Sequence, residues 1–244
     1  GLPEGFGLVL GNGSDELIGL IALALARPGA CILAPEPGFV MYAMSAQLLG
    51  LRYVGVPLTA DFALDEAAML AAIAEHRPAV VYLAYPNNPT ANLWDDAAIE
   101  RIVQAAPGLV VMDEAYQPFA SRSYIDRLAR HPHVLLMRTL SKFGLAGVRI
   151  GYLMAPAALA AEIDKVRPPY NISVLNAECA LFALEHAEVY AAQAQDIRTQ
   201  RGALLAALRA MPGVQAWDSD ANMVLVRIAA AGERAHTVFE GMKA

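Results

Sequence analysis

Apolar residues along this chain come in two rhythms. Short, almost unbroken apolar runs recur at Ala30 to Ala34, Leu51 to Val56, Ala79 to Tyr85, Gly108 to Glu114, His133 to Thr139 and Val148 to Met154. Runs of that length without polar alternation predict strands covered on both faces. Between them the apolar spacing lengthens to three and four residues, as in "LDEAAMLAAIAEH" over Leu64 to His76 and again over Asp95 to Ala106, which Pro107-Gly108 closes. Those stretches predict helices. Strand and helix in alternation predict an α/β three-layer sandwich built on a mainly parallel sheet. Past "RPPYN" (Arg167 to Asn171) the texture becomes a long Ala- and Glu-rich helical tract, roughly Leu175 to Ala210, after which "PGVQAW" and "ANMVLVRI" read as strands. The expected division is a large domain over 1–190 and the start of a smaller, incomplete α+β domain over 191–244.

Composition narrows the class. The 244 residues are 57% hydrophobic and 17% charged, as in a globular chain. A net charge of −6 disfavours a nucleic-acid partner, which calls for a basic face. The apolar run "LIGLIALALA" (Leu17 to Ala26) is too short to span a bilayer and predicts a buried helix, so no membrane role is expected. Cys31 and Cys179 both sit in apolar runs and have neither the number nor the spacing of a disulfide framework or a metal site. A reducing, cytoplasmic setting is expected, with no metal. "HPH" at His131 to His133 abuts a strand start and reads as structural. The chain starts at Gly1 and stops at "VFEGMKA", which suggests a fragment with both ends missing.

Polar chemistry gathers where the apolar runs end. "PNNPT" follows one strand, "DEAY" another and "TLSK" a third, while "LVLGNGSDELI" runs from an apolar stretch through Gly11 and Gly13 into a helix. In open α/β sheets ligands bind outside the carboxyl ends of the strands. Ser14 or Asp15 is a natural N-cap, and the helix start can cradle a phosphate. A dinucleotide fingerprint fails because Glu16 replaces the third glycine, and a P-loop fails because the chain has no Gly-Lys pair. Taken singly, "PNNP" reads as a turn, Asp113 as a cap and Tyr116 as a core residue.

Lys142 resists such a reading. It is one of three lysines, and it stands in "RTLSKFGLAGVRIG" between an apolar run and three glycines. Burying an ammonium is costly unless it is paired. One alternative is an ion pair with a carboxylate such as Asp113; the other is an amine made reactive toward a carbonyl. Arg149 adds a cation that can clamp a phosphate. Pyridoxal phosphate uses all of these groups together. Lys142 meets its aldehyde, Asp113 its ring nitrogen, Asn88 and Tyr116 its phenolic oxygen, Phe39 its face, and Ser14, Ser141 and Arg149 its phosphate.

The set "NGSDE", "PGFVMYAMSA", "YPNNPT", "DEAY" and "RTLSKFGLAGVRIGY" resembles, in order and across nearly the whole chain, the fold-type I pyridoxal-phosphate-dependent aminotransferases, and among them the histidinol-phosphate aminotransferases. The resemblance implies that Lys142 carries the cofactor and moves the proton at the substrate α-carbon. It further implies that Asp113 pairs with the pyridinium nitrogen, that Asn88 and Tyr116 bond the phenolic oxygen, and that Phe39 stacks where relatives usually have tyrosine. The phosphate would rest on the amides of Ser14 and Asp15, with Thr139, Ser141 and Arg149 around it. The implied reaction exchanges an amino group between L-histidinol phosphate and 2-oxoglutarate in histidine biosynthesis, in a homodimer with sites at the interface. Other amino donors, a lyase reaction, or a non-catalytic regulatory domain that binds the cofactor stand as alternatives. Two departures from the family pattern stand out: Ala91 replaces the glycine of "NNPTG", and the N-terminal "NENP"-like segment and the C-terminal carboxylate-binding arginine are not in the sequence.

Overall fold

The computed structural model describes residues 2–228 and 235–243. Strand β1 (Phe6–Gly11) leads into helix α1 (Ser14–Ala24), then β2 (Cys31–Glu36), α2 (Val40–Leu48), β3 (Arg52–Pro57), α3 (Glu66–His76), β4 (Val80–Ala84), α4 (Asp96–Ala105) and β5 (Leu109–Asp113). After β6 (Val134–Thr139) and β7 (Gly151–Pro156) come α5 (Ala157–Asp164), α6 (Val174–Glu185), α7 (Ala187–Arg209), β8 (Val214–Ala216), β9 (Val226–Ile228) and α8 (Ala235–Lys243). One seven-stranded sheet runs in the order β1-β7-β6-β5-β4-β2-β3. β3, β2, β4, β5 and β6 are mutually parallel, while β7 runs antiparallel to both β6 and β1.

The unbroken apolar runs follow from burial on both sides. Tyr82, Val111, Leu135 and Met137 face one core with α1, α2 and α5. Their neighbours Val81, Leu83, Val110, Met112, Val134 and Leu136 face a second core with α3 and α4. Successive side chains of a strand alternate faces, so a central strand of a three-layer sandwich has no face left for polar residues. α3 and α4 start on aspartate caps, Asp65 accepting from the Ala68 amide at 3.0 Å and Asp95 from the Ala98 amide at 2.9 Å.

Two expectations are corrected. The strand expected from Val148 begins only at Gly151: residues 140–148 form two short 3₁₀ turns and Arg149 takes a left-handed conformation (φ 52°), so the chain doubles back before it enters the sheet. The helical tract from Leu175 is two helices, interrupted at His186. β1 is a further strand, at the edge of the sheet, with Leu8 and Leu10 exposed. β8 and β9 pair as a separate antiparallel ribbon, and residue 190, the expected division, lies inside α7.

Candidate functional site

Parallel strands deliver their carboxyl ends to one edge of a sheet. Ala84 closes β4, Asp113 closes β5 and Thr139 closes β6, and all three border a single cleft. The start of α1 brings Ser14 and Asp15 to it, the start of α2 brings Phe39, and the loops after β4, β5 and β6 bring Asn88, Tyr116, Ser141 and Lys142. Arg149 completes the wall. All ten residues singled out from the sequence line this one space.

At its anionic end, α1 starts at Ser14 with Gly13 as cap (φ 80°) and no capping side chain. The expectation that Ser14 or Asp15 caps the helix is therefore corrected: both sit in its first turn, where backbone N–H groups lack intrahelical partners. A side chain at Gly13 would run into the Arg149 guanidinium, and a Cβ at Gly151 would stand 2.6 Å from the Ser14 nitrogen. Glycine at both places lets guanidinium and strand close onto the helix start. Arg149 Nη2 lies 3.3 Å from Asp15 Oδ2, and Nη1 lies 3.5 Å from Ser141 Oγ. Thr139 Oγ1 accepts from the Ser141 amide at 3.1 Å and so fixes the turn that carries Lys142.

At the opposite end Asp113 is 4% exposed. The Tyr42 hydroxyl donates to its Oδ2 at 2.6 Å and the Ala115 amide to its Oδ1 at 3.1 Å. Burial pushes the Asp113 carboxyl up to about 6; the two hydrogen bonds pull against that rise, and the charges of Asp15 and Glu114 add to it. Among the described residues no cation pairs with it, Lys142 included. The ion pair entertained from the sequence does not form: Lys142 is half-buried, with Nζ 5.1 Å from the centre of the Tyr116 ring. Between the ends, Tyr116 is buried with its hydroxyl raised above the usual range by burial and then by Asp113. Phe39 stands at the α2 cap and meets Tyr42 edge-on at 5.8 Å.

Two contributors escaped the sequence reading. Tyr42 lies three residues after Phe39, a spacing that puts both on one side of a helix start and is the one signal the sequence offered. Asn87 is 1% exposed and donates to Pro37 O at 3.0 Å and Thr90 Oγ1 at 2.8 Å, tying the Asn88 loop to the turn before Phe39. Glu114 turns away from the cleft, where it accepts from Arg138 Nη2 at 2.7 Å and from Ser123 Oγ at 2.9 Å. His131 and His133 bond to Glu100 and to Val103 O. Cys31 is buried in β2 and Cys179 is exposed on α6. Among the described residues no helix is long and apolar enough to cross a membrane.

The cleft thus offers a primary amine, a buried anion lacking a counter-charge, two amide or hydroxyl groups between them, an aromatic face, and a helix start backed by a guanidinium. A flat ligand with a cationic ring nitrogen at one end, an anion at the other and an electrophilic carbon beside the lysine satisfies each of these at once.

Comparisons with known proteins agree on the family. The model of the family described as aminotransferase class I and II matches residues 6–240. Histidinol-phosphate aminotransferase of Polaromonas naphthalenivorans (strain CJ2) is 71% identical over 245 residues, covering 99% of this chain and 66% of the relative. The chain spans about two thirds of the length of the curated relatives it matches. Among solved structures, the histidinol-phosphate aminotransferase of Sinorhizobium meliloti in complex with pyridoxal-5'-phosphate superposes with a TM-score of 0.83 at 30% identity, covering 94% of this chain and 62% of the other. That of Clostridium acetobutylicum gives a TM-score of 0.85 at 22% identity over 98% of this chain and 72% of the other, a likeness of fold.

Proposed function

We propose a reaction from one premise: this chain belongs to the class I and II aminotransferases. The reaction is transfer of an amino group from L-histidinol phosphate to 2-oxoglutarate, a step of histidine biosynthesis, with pyridoxal phosphate as cofactor. Relatives about 70% identical are named histidinol-phosphate aminotransferase, and a 30% identical structure of that name was solved in complex with pyridoxal-5'-phosphate. The observation that carries the reading is that Lys142 and Asp113 border one cleft and do not neutralise each other. A lysine and a buried carboxylate kept apart make sense when a ligand stands between them.

When bound, the cofactor supplies an electron sink for charge developing at the substrate α-carbon. The chain's residues do the rest. Asp113 would accept a hydrogen bond from the protonated ring nitrogen and so favour its charged form. Asn88 and Tyr116 donate to the phenolic oxygen, and Phe39 covers one face. The amides of Ser14 and Asp15, with Thr139, Ser141 and Arg149, would hold the phosphate; without a ligand, Arg149 engages the Asp15 carboxylate. Lys142 would hold the cofactor by its aldehyde end, and its amine would take up the proton from the substrate α-carbon and return it on the same side of the cleft. The reading includes a cytoplasmic homodimer, with 1–190 as the cofactor-binding domain and 191–244 as the beginning of the smaller one.

The full chain should bind pyridoxal phosphate as a yellow complex, and borohydride should fix the cofactor to the peptide containing Lys142. Histidinol phosphate should bleach the visible band faster than phenylalanine or cystathionine does. Turnover by Lys142→Ala within a few-fold of the parent would end the assignment.

A further inference from the structure

Among the described residues two donors reach the Asp113 carboxylate, the Ala115 amide and the Tyr42 hydroxyl. Tyr42 comes from α2, 71 positions earlier in the chain. Its side chain is 1% exposed, stacked on Tyr82 with centroids 4.4 Å apart and planes 12° from parallel, and edge-on to Phe39. Phenylalanine would fill the same space and keep both aromatic contacts. The hydroxyl is the difference, and in this apolar setting it carries a desolvation cost that only a hydrogen bond offsets. Its partner is Oδ2 of Asp113 at 2.6 Å, the length of a charge-assisted bond.

The groups around Asp113 leave that bond much to do. Asp15 at the start of α1 and the adjacent Glu114 are anionic and push the carboxyl toward protonation. Tyr82 of β4 and Tyr116 sense its charge and bring none of their own. Against burial and two like charges stand one backbone amide and one phenol. We infer that Tyr42 is a positioning residue for the cofactor site: its hydroxyl holds the Asp113 carboxylate ionised and in a fixed plane, and its ring sets Phe39 against the same ligand. The inference rests on the pyridoxal-phosphate reading for its purpose, though the hold on Asp113 is a property of the protein alone.

The test is Tyr42→Phe in the full chain, read in two ways. Infrared titration of the cofactor-free protein follows the protonated-carboxyl band that Asp113→Asn removes. Loss of a hydrogen bond to a charged group should raise its midpoint by about one pH unit or more. Pyridoxal-phosphate affinity measured against pH should then fall about tenfold on its acid limb and converge with the parent at alkaline pH. In the Asp113→Asn background Tyr42→Phe should cost no further affinity. Replacing Tyr42 by 3-fluorotyrosine, a stronger donor, keeps the core filled and should move the infrared midpoint down. An unchanged midpoint in both variants, with an affinity loss equal at every pH and in both backgrounds, would overturn the inference and leave Tyr42 a packing residue. Were the parent chain to bind no pyridoxal phosphate, the cofactor reading would fall, and the infrared titration would still decide whether Tyr42 governs Asp113.

Discussion

Asp113 and Glu114 are neighbours in sequence, both buried carboxylates at the end of β5, and they serve opposite regions of the molecule. On the loop side, Glu114 receives two nitrogens of Arg138, the Ser123 hydroxyl and the Tyr124 amide. Burial pulls the Arg138 guanidinium down, yet the charge and hydrogen bonds of Glu114 more than offset it and hold it above its ordinary value. On the cleft side, Asp113 has two donors and no cation among the described residues. A carboxylate with every lone pair spoken for is a fastener. A carboxylate buried with its charge uncompensated is a cost to the fold, and such a cost persists where a ligand removes it. The difference between the two teaches where the ligand belongs without any ligand in view.

The largest effect should come from breaking the fastener. Arg138→Ala leaves the Glu114 side chain, which is fully buried, without its cation. Removing one partner of a buried pair costs about 3–5 kcal/mol. Urea unfolding of the cofactor-free chain should show a midpoint loss of that size. Proteolysis should first reach residues 117–130, the loop that Ser123 and Tyr124 pin to Glu114. If the loss were below about 1 kcal/mol, in the range of exposed pairs, the contrast between the two carboxylates would break.

Asp113→Asn sharpens the comparison from the other side, with the opposite sign. The folded-state value of about 6 lies above the ordinary 3.8. A group raised on folding stabilises fully below its unfolded value, and that stability is lost as pH rises through the folded one. The parent should therefore lose stability between about pH 4 and pH 6, because there the folded state binds more protons than the unfolded state. A rise of roughly two pH units, at about 1.4 kcal/mol each, puts the penalty at neutral pH on the order of 2–3 kcal/mol. The neutral asparagine escapes it. Cofactor-free Asp113→Asn should unfold at higher urea than the parent at pH 7.5 and coincide with it near pH 4, while its affinity for pyridoxal phosphate falls. A variant less stable than the parent at pH 7.5 would mean that the carboxylate is compensated after all.

Much of the cleft was legible because its residues stand at the ends of apolar runs, and a parallel sheet brings such ends together. Asn88, Asp113 and Lys142 each follow one, and so they meet. Tyr42 was hidden because its meaning lies in one contact across 71 residues, and its spacing from Phe39 is a weak signal that many tyrosines of apolar helices share. That Asp113 and Glu114 part company follows from the two-residue period of a strand, yet which of them faces the cleft depends on register with β4 and β6. The late start of β7 was illegible because Val148 to Ile150 has strand composition, and what bends it is the need to return Arg149 to the α1 start. Edge strand β1 carries an apolar run, "LVL", but one so short and so quickly followed by Gly11 and Gly13 that it reads as a lead-in to α1.

The smallest effect concerns backbone rather than charge. Among the described residues, two of the five non-glycine residues with positive φ, Ala91 (64°) and Arg149 (52°), border or support the cleft, the side on which the uncompensated carboxylate also lies. Ala91 sits in the loop that carries Asn88; its amide donates to Asn87 O at 2.8 Å and its carbonyl accepts from the Asp220 amide at 2.7 Å, bonds that glycine would keep. Left-handed backbone costs alanine about 1–2 kcal/mol. Ala91→Gly relieves that, but it gives up a buried methyl worth about 0.8 kcal/mol, packed among Tyr116, Phe119 and Ala221. It also frees the unfolded chain by about 0.4–1 kcal/mol. These terms nearly cancel, so thermal unfolding should shift by no more than about 2–4 °C in either direction. Pyridoxal-phosphate affinity should stay within about twofold, since every hydrogen bond of the loop survives. A stabilisation well beyond 4 °C would make Ala91 a second uncompensated cost on the ligand side; a loss of that size would make its methyl a fastener like Glu114.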